Sequence, residues 1–243
     1  MKLFAIRDET EYSTRDLAYL IYYEKERRFY IELPDNADPW ETPLLLSSFL
    51  RRGERTVNAY WSKVWVQQRI VPQDRQNLGS VLKENHLKDY DEFALLMLAH
   101  GRCAQDDYYL VPIENDTLQK TLKARYQKRV ESVIPLTDFD ALVFFRDGSL
   151  RKIDLQPFLA KDRKFKPILH RTDLFTTVRV QVGGYGITWG DDLEITDTVL
   201  YQAGQIVPLC QEDFLAYIAN NLVNTTEAAE LLECSRQNIN DLV

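Results

Sequence analysis

Cysteine is scarce in this sequence. Only Cys103, Cys210 and Cys234 occur, far apart and odd in number. Such a set excludes a disulfide framework and predicts a reducing, cytoplasmic setting. Long apolar runs are missing too. No stretch approaches the roughly 18 residues of a membrane span, and MKLFAIRDETEY holds no signal-peptide hydrophobic region. No membrane partner is therefore expected. Positive charge is short overall: the net charge is −7, which argues against a general binder of nucleic acid or of anionic membrane surfaces. Repeats and low-complexity tracts are absent.

What is present supports a folded protein. The 243 residues leave room for two domains, or one plus an appendage; the 45% apolar share supports a core and the 28% charged share supports solubility. The reading is an α+β protein in parts: an N-terminal α+β module over residues 1–113, a basic connector over 114–129, a small α+β domain over 130–204 and a helical tail over 208–243.

In the first module, Asp16–Tyr23 and Phe29–Leu33 are aromatic-rich and flank the charged run Glu24–Arg28, which predicts a hairpin. Trp40 to Leu50 reads as a helix with Leu44, Leu45, Leu46, Phe49 and Leu50 as core, stopped by Gly53. Val57–Ile70 carries Tyr60, Trp61, Val64 and Trp65 at helical spacing. Its neighbourhood holds Arg51, Arg52, Arg55, Lys63, Arg69 and Arg75 against Glu54 and Asp74. Basic residues interleaved with aromatics can bind a nucleic-acid strand; the plainer reading is an amphipathic helix with tryptophan in the core. Gln76–Leu87 and Asp89–Ala99 read as two more helices, with Asp89 or Asp91 capping the second, and Tyr108–Ile113 as a strand.

Between that last helix and strand lies the most chemistry-rich cluster of the sequence: His100, Arg102, Cys103, Asp106 and Asp107, around Gly101. A cysteine nucleophile needs its base within hydrogen-bond reach, which spacing alone does not provide. No His-x-x-His, Cys-x-x-Cys or Asp-x-Asp pattern accompanies the paired carboxylates. The expectation is structural: Gly101 as a helix C-cap, Arg102 paired with an aspartate, and Cys103 packed as a small hydrophobe. No catalytic residue, metal or cofactor is predicted. An enzyme using His100, Cys103, Asp106 and Asp107 is the remaining alternative.

The connector Thr117–Arg129 has five basic residues and no acidic one, as expected of a solvated face or of a contact to an acidic partner. Beyond it, Ser132–Leu136, Ala141–Phe145 and Leu150–Leu155 read as strands, the last two joined by Asp147-Gly148. Pro157–Ala160 and Pro167–Phe175 read as short helices or turns. Val178, Val180 and Val182 alternate with polar residues as a half-buried strand does. Gly183–Gly186 turns the chain back into Ile187–Trp189; no Lys-Ser/Thr follows, so this is a hairpin turn and not a phosphate loop. Asp191–Ile195 leads to a final turn over Thr196–Tyr201.

Pro135, ALVFFRDGSLRKIDL, FKPILHRTDLFTTVRV and YGITWGDDLEI…LYQAG occur here in an order that resembles the bacterial domain-of-unknown-function family 2442. That resemblance implies a compact α+β domain without an assigned activity, in proteins that often accompany toxin–antitoxin-like genes and sometimes carry a helix-turn-helix. Trp189, Asp191 and Asp192 are motif positions, read as a core tryptophan and turn carboxylates.

The tail NTTEAAELLECSRQNINDLV begins with Asn224 and Glu227 at capping-box spacing. Ala228, Ala229, Leu231 and Leu232 give a short apolar face, Glu233–Cys234 breaks it, and Ser235 can cap a second helix with Ile239, Leu242 and Val243 inward. Phe214, Ile218 and Leu222 predict a third helix over Gln211–Leu222. This tail resembles the helix-turn-helix of excisionase-like regulators, which implies that Ser235, Arg236, Gln237 and Asn240 lie at a DNA groove. Its charge runs the other way. From Gln211 to Val243 there are six acidic residues and one basic residue, Arg236, while duplex binding draws on phosphate neutralisation. The expectation is a non-enzymatic regulator with a protein partner, contacting DNA through its tail as a homodimer. The alternative is a protein-interaction module that does not bind DNA.

Overall fold

The computed structural model describes residues 1–10, 15–114, 122–190, 193–208 and 222–240, together with Asp213, Leu215 and Ile218. Helices and antiparallel sheets are both present, as expected of an α+β protein. The chain divides into two compact units, Met1–Tyr126 and Gln127–Val243. The division falls inside the stretch read as the connector.

The first unit is built on a five-stranded antiparallel sheet in the order β4-β3-β2-β1-β5. The predicted hairpin is β2 (Ala18–Tyr23) and β3 (Arg28–Glu32), with Leu20 opposite Ile31. The strand β1 (Lys2–Asp8) pairs with β2 on one side and with β5 (Tyr108–Pro112) on the other. Sequence reading gave β1 no element, because LFAI is apolar without alternation and both of its faces are buried. The edge strand β4 is the dipeptide Thr56–Val57.

One face of this sheet carries Phe4, Ile6, Leu20, Ile31 and Leu33. Leu46, Phe49, Trp65, Val66, Leu95 and Leu96 pack against it from α1 (Leu44–Arg51), α2 (Ala59–Gln67) and α4 (Glu92–Leu98). A short α3 spans Leu78–Glu84. Asn58 caps α2 by accepting from the Trp61 N–H, and Asp91 caps α4 by accepting from the Ala94 N–H. Two expectations need correction. Leu44, placed in the core from its sequence, stands 84% exposed at the first turn of α1. Of the tryptophans assigned to the core, Trp65 is buried, but Trp61 is partly exposed because it lies on the solvent side of α2.

Residues 122–127 form a helix, α5, at the end of this unit. Its Arg125 donates to Glu32 Oε2 at 3.0 Å, to the Arg55 carbonyl at 3.0 Å and to the Leu33 carbonyl at 2.6 Å. Glu32 is fully buried, so this cation offsets the cost of taking a carboxylate out of water. The basic stretch is therefore fastened here and is not simply a solvated face.

In the second unit, β6 (Val130–Pro135), β7 (Asp140–Phe145), β8 (Leu150–Asp154) and β12 (Gln205–Val207) form a sheet in the order β12-β8-β7-β6. A second sheet orders β11 (Glu194–Thr196), β10 (Gly186–Thr188) and β9 (Arg179–Val180). The Asp147-Gly148 turn closes as predicted, with Gly148 at φ 82°. The Val178–Val182 alternation yields only two strand residues, since Val182–Gly184 coils into a 3₁₀ turn. A Cβ on Gly184 would stand 2.4 Å from the Val130 carbonyl oxygen, which is why glycine is needed there. The expected final turn is a helix, α9 (Asp197–Ala203), and the strand β12 after it was not foreseen.

Between β8 and β9 in the chain come α6 (Gln156–Lys161), α7 (Lys166–Leu169) and α8 (Thr172–Phe175). Leu159, Phe165, Ile168 and Phe175 from this stretch join Val143, Ile153, Ile187 and Trp189 in the second core. Trp189 Nε1 donates to the Phe175 carbonyl at 2.9 Å, as expected of a core tryptophan. Asp191 and Asp192 lie outside the described residues. Among the described residues no helix is long and apolar enough to cross a membrane.

Candidate nucleic-acid interface

The tail forms two short helices, α10 (Thr225–Leu231) and α11 (Arg236–Asn240). The predicted capping box is complete: the Asn224 side chain accepts from the Thr226 and Glu227 N–H groups, and Glu227 Oε2 accepts from the Asn224 N–H at 3.0 Å. The turn after α10 closes by two backbone bonds, Cys234 N–H to Ala229 O and Glu233 N–H to Glu230 O. These are the bonds of a Schellman closure. It places Glu233 at φ 50°, a left-handed position where a non-glycine residue costs roughly 1–2 kcal/mol. Ser235 then caps α11, its Oγ accepting from the Asn238 N–H at 3.3 Å.

Ala229 and Ile239 are the buried members of this pair. With Ile239 turned in, Ser235, Arg236, Gln237 and Asn240 are all exposed. They share one short turn of chain and present a hydroxyl, a guanidinium and two amides to solvent. Leu231 and Leu232, expected on the buried face, are instead 71% and 65% exposed. Leu242 and Val243 lie outside the described residues, as does most of the third helix expected over Gln211–Leu222.

The cluster at residues 100–107 is laid out differently from its sequence reading. The helix α4 also ends in a Schellman closure, with Gly101 N–H on Leu96 O and His100 N–H on Met97 O. The C′ residue is thus His100, at φ 48°, and Gly101 follows it at φ 74°. A Cβ on Gly101 would meet Leu110 Cγ at 2.5 Å. Arg102 pairs with Glu9, not with an aspartate. Asp106 Oδ2 lies 2.5 Å from Arg69 Nη2, and Asp106 Oδ1 accepts from the Tyr108 N–H at 3.2 Å.

Arg69 is buried, with its guanidinium 3.8 Å from the Trp65 ring centre. Burial pushes its pKa below the ordinary guanidinium value, and the Asp106 carboxylate opposes that. Asp106 therefore serves as the counter-charge of a buried cation. Cys103 is half-buried and shares a bridge with Asp106. Among the described residues no group of three or more His, Cys, Asp or Glu side chains is placed to hold a metal ion.

The aromatic and basic surface of the first unit is partly open. Trp40 is 86% exposed with Arg51 stacked 5.2 Å from its ring centre, and Tyr60 and Trp61 meet edge to face at 5.2 Å. Helical spacing had signalled Tyr60 and Trp61 but could not say which faced solvent, and Trp40, expected to begin a helix, lies in a turn before α1.

Comparison with known proteins bears on the second unit. The model of the family "Protein of unknown function (DUF2442)" matches residues 130–205, in agreement with the resemblance read from the motifs. It ends before the tail, so the excisionase likeness remains one of sequence. No curated protein matches the chain. A solved structure from Nitrosomonas europaea, named "Putative DNA Binding Protein", aligns over 46% of this chain and 72% of its own at 22% identity and a TM-score of 0.29. That superposition is too loose to inform either fold or function.

Proposed function

We propose that this protein is a non-enzymatic regulator that contacts DNA through its C-terminal helix pair, working as a dimer so that two tails reach two half-sites. The observation that carries this reading is the exposure of Ser235, Arg236, Gln237 and Asn240 around a short helix whose Ile239 is buried. Arginine and glutamine in that position can make paired hydrogen bonds to guanine and adenine edges. Two-fold pairing is required physically, since a single five-residue helix in an acidic tail offers little affinity. A regulator beside a toxin gene, as the family resemblance implies, fits this arrangement.

The test is fluorescence anisotropy against duplex from the protein's own upstream region and against scrambled duplex, with Arg236→Ala/Gln237→Ala as control. Tighter binding to the native duplex, lost in the double variant, is expected. Equal binding of both duplexes by both proteins would end the tail's role as reader.

A second reading is favoured by one observation. Exposed Trp40 with Arg51 on its ring, and exposed Tyr60 and Trp61, have the composition of protein-binding hot spots. Under that reading the protein is an interaction module, with a tight protein partner and no salt-dependent duplex binding.

A further inference from the structure

The tail lacks the cations that hold a protein on phosphate. A second stretch has them, and it lies inside the family-matched segment. From Gln156 to Arg179 there are six basic side chains, Lys161, Arg163, Lys164, Lys166, Arg171 and Arg179, against two carboxylates, Asp162 and Asp173, in a protein of net charge −7. All six cations are exposed. The fold puts them there: Leu159, Phe165, Ile168 and Phe175 point into the core from α6, the 3₁₀ turn Arg163–Phe165, α7 and α8. The intervening charged residues have only solvent to face.

Asp162 lies within the strip, its Oδ1 accepting from the Lys164 backbone N–H at 3.0 Å, so four cations there face one carboxylate, while Asp173 pairs with Arg171 at 2.6 Å. Among the described residues Lys161, Arg163, Lys164 and Lys166 make no ion pair. Elsewhere in the same unit cations are tied down: Arg129 to Asp197 at 3.1 Å, and Lys152 to Asp140 at 2.6 Å.

We infer that Lys161, Arg163, Lys164 and Lys166 form a phosphate-backbone contact surface for duplex DNA. This deepens the reading given under Proposed function and rests on it: the tail supplies base discrimination and the strip supplies affinity. Dimensions fit. At 1.5–2.0 Å rise per residue the four cations span about 10 Å. One DNA strand presents about three phosphates over that axial length. The four side chains come from helical and 3₁₀ turns anchored by buried residues, so the backbone that carries them needs little ordering on contact.

The experiment measures affinity of the full chain for native and scrambled duplex across a salt series. Three variants are compared: Lys161→Ala/Arg163→Ala/Lys164→Ala/Lys166→Ala; a charge-matched control, Lys25→Ala/Arg27→Ala/Lys83→Ala/Lys88→Ala; and Arg236→Ala/Gln237→Ala. The strip variant is expected to bind both duplexes at least about tenfold more weakly at low salt, with the slope of log affinity against log salt reduced by about three, one per phosphate within reach. The control should keep both. An unchanged slope in the strip variant, or an equal loss in the control, would overturn the inference. In either case loss of discrimination in the Arg236/Gln237 variant would still uphold the tail as reader. Retained discrimination there, with a reduced slope in the strip variant, would remove the tail reading and leave the strip as the DNA surface. Absence of wild-type binding to either duplex at low salt would overturn both.

Discussion

The stretch around residues 100–107 and the stretch 156–175 treat charge in opposite ways. The first gathers a thiol, an imidazole and two carboxylates, and the fold ties its charges down: Asp106 to the buried Arg69, Arg102 to Glu9. The second holds nothing that suggests chemistry in a line of sequence, yet its central cations are exposed and make no ion pair among the described residues. The comparison teaches that density of functional groups is a poor guide to a site. A charge inside a unit must have a partner, because desolvation without one costs several kcal/mol. A charge on the surface needs none, and is left available.

Substitutions can break this contrast. The largest effect is expected from Asp106→Ala. It leaves the Arg69 guanidinium, whose side chain is 2% exposed, without its counter-charge. A loss of about 3–5 kcal/mol is expected by urea denaturation followed by tryptophan fluorescence. A loss below about 1 kcal/mol would mean that Arg69 reaches water. Gly184→Ala should come next, at about 2–4 kcal/mol in the same measurement, from its left-handed backbone and the clash with Val130 O. Asn224→Ala should cost about 1 kcal/mol, by removing the cap of α10. Its effect should be confined to the tail and is best followed by amide exchange of residues 225–231.

Arg163→Ala should change stability by less than about 0.5 kcal/mol. A larger cost would show that the strip is held by contacts of its own and would collapse the distinction between the two stretches.

The smallest effect is a pH step. Burial alone would raise the Asp147 pKa, but the hydrogen bonds from Ser149 and Tyr201 outweigh it, and the net shift is downward. A carboxylate with a lowered folded-state pKa contributes stability that is complete above its unfolded value. That contribution is lost as pH falls through the lowered folded value. Wild type should therefore lose part of its stability below the ordinary carboxylate range, and Asp147→Asn should flatten that segment of the profile. An unaltered acid limb would place the loss on other carboxylates.

Much of the fold was legible from neighbours in sequence. The Ala18–Glu32 hairpin, the Asp147-Gly148 turn, the Asp91 cap and the Asn224–Glu227 capping box all rest on residues a few positions apart, whose geometry is set by local backbone preferences. The exposed set Ser235, Arg236, Gln237 and Asn240 was legible for the same reason, since Ile239 fixes which side of one short helix turns inward. The strand β1 was not: a run buried on both faces carries no period. Nor was the exposure of Leu44, Leu231 and Leu232, because apolar spacing shows that a face exists and not what covers it.

By itself the sequence determined an α+β chain whose turns, caps and hairpins are written locally, with a family-matched middle and an acidic tail. Only the tertiary structure decided which charges were to be consumed. Arg69 finds Asp106 across 37 residues, and Arg125 finds Glu32 across 93. Lys161, Arg163, Lys164 and Lys166 make no ion pair among the described residues, because the apolar residues around them face the core. No local rule contains those outcomes. They follow from burial, which a linear sequence does not specify until strands distant in sequence have paired.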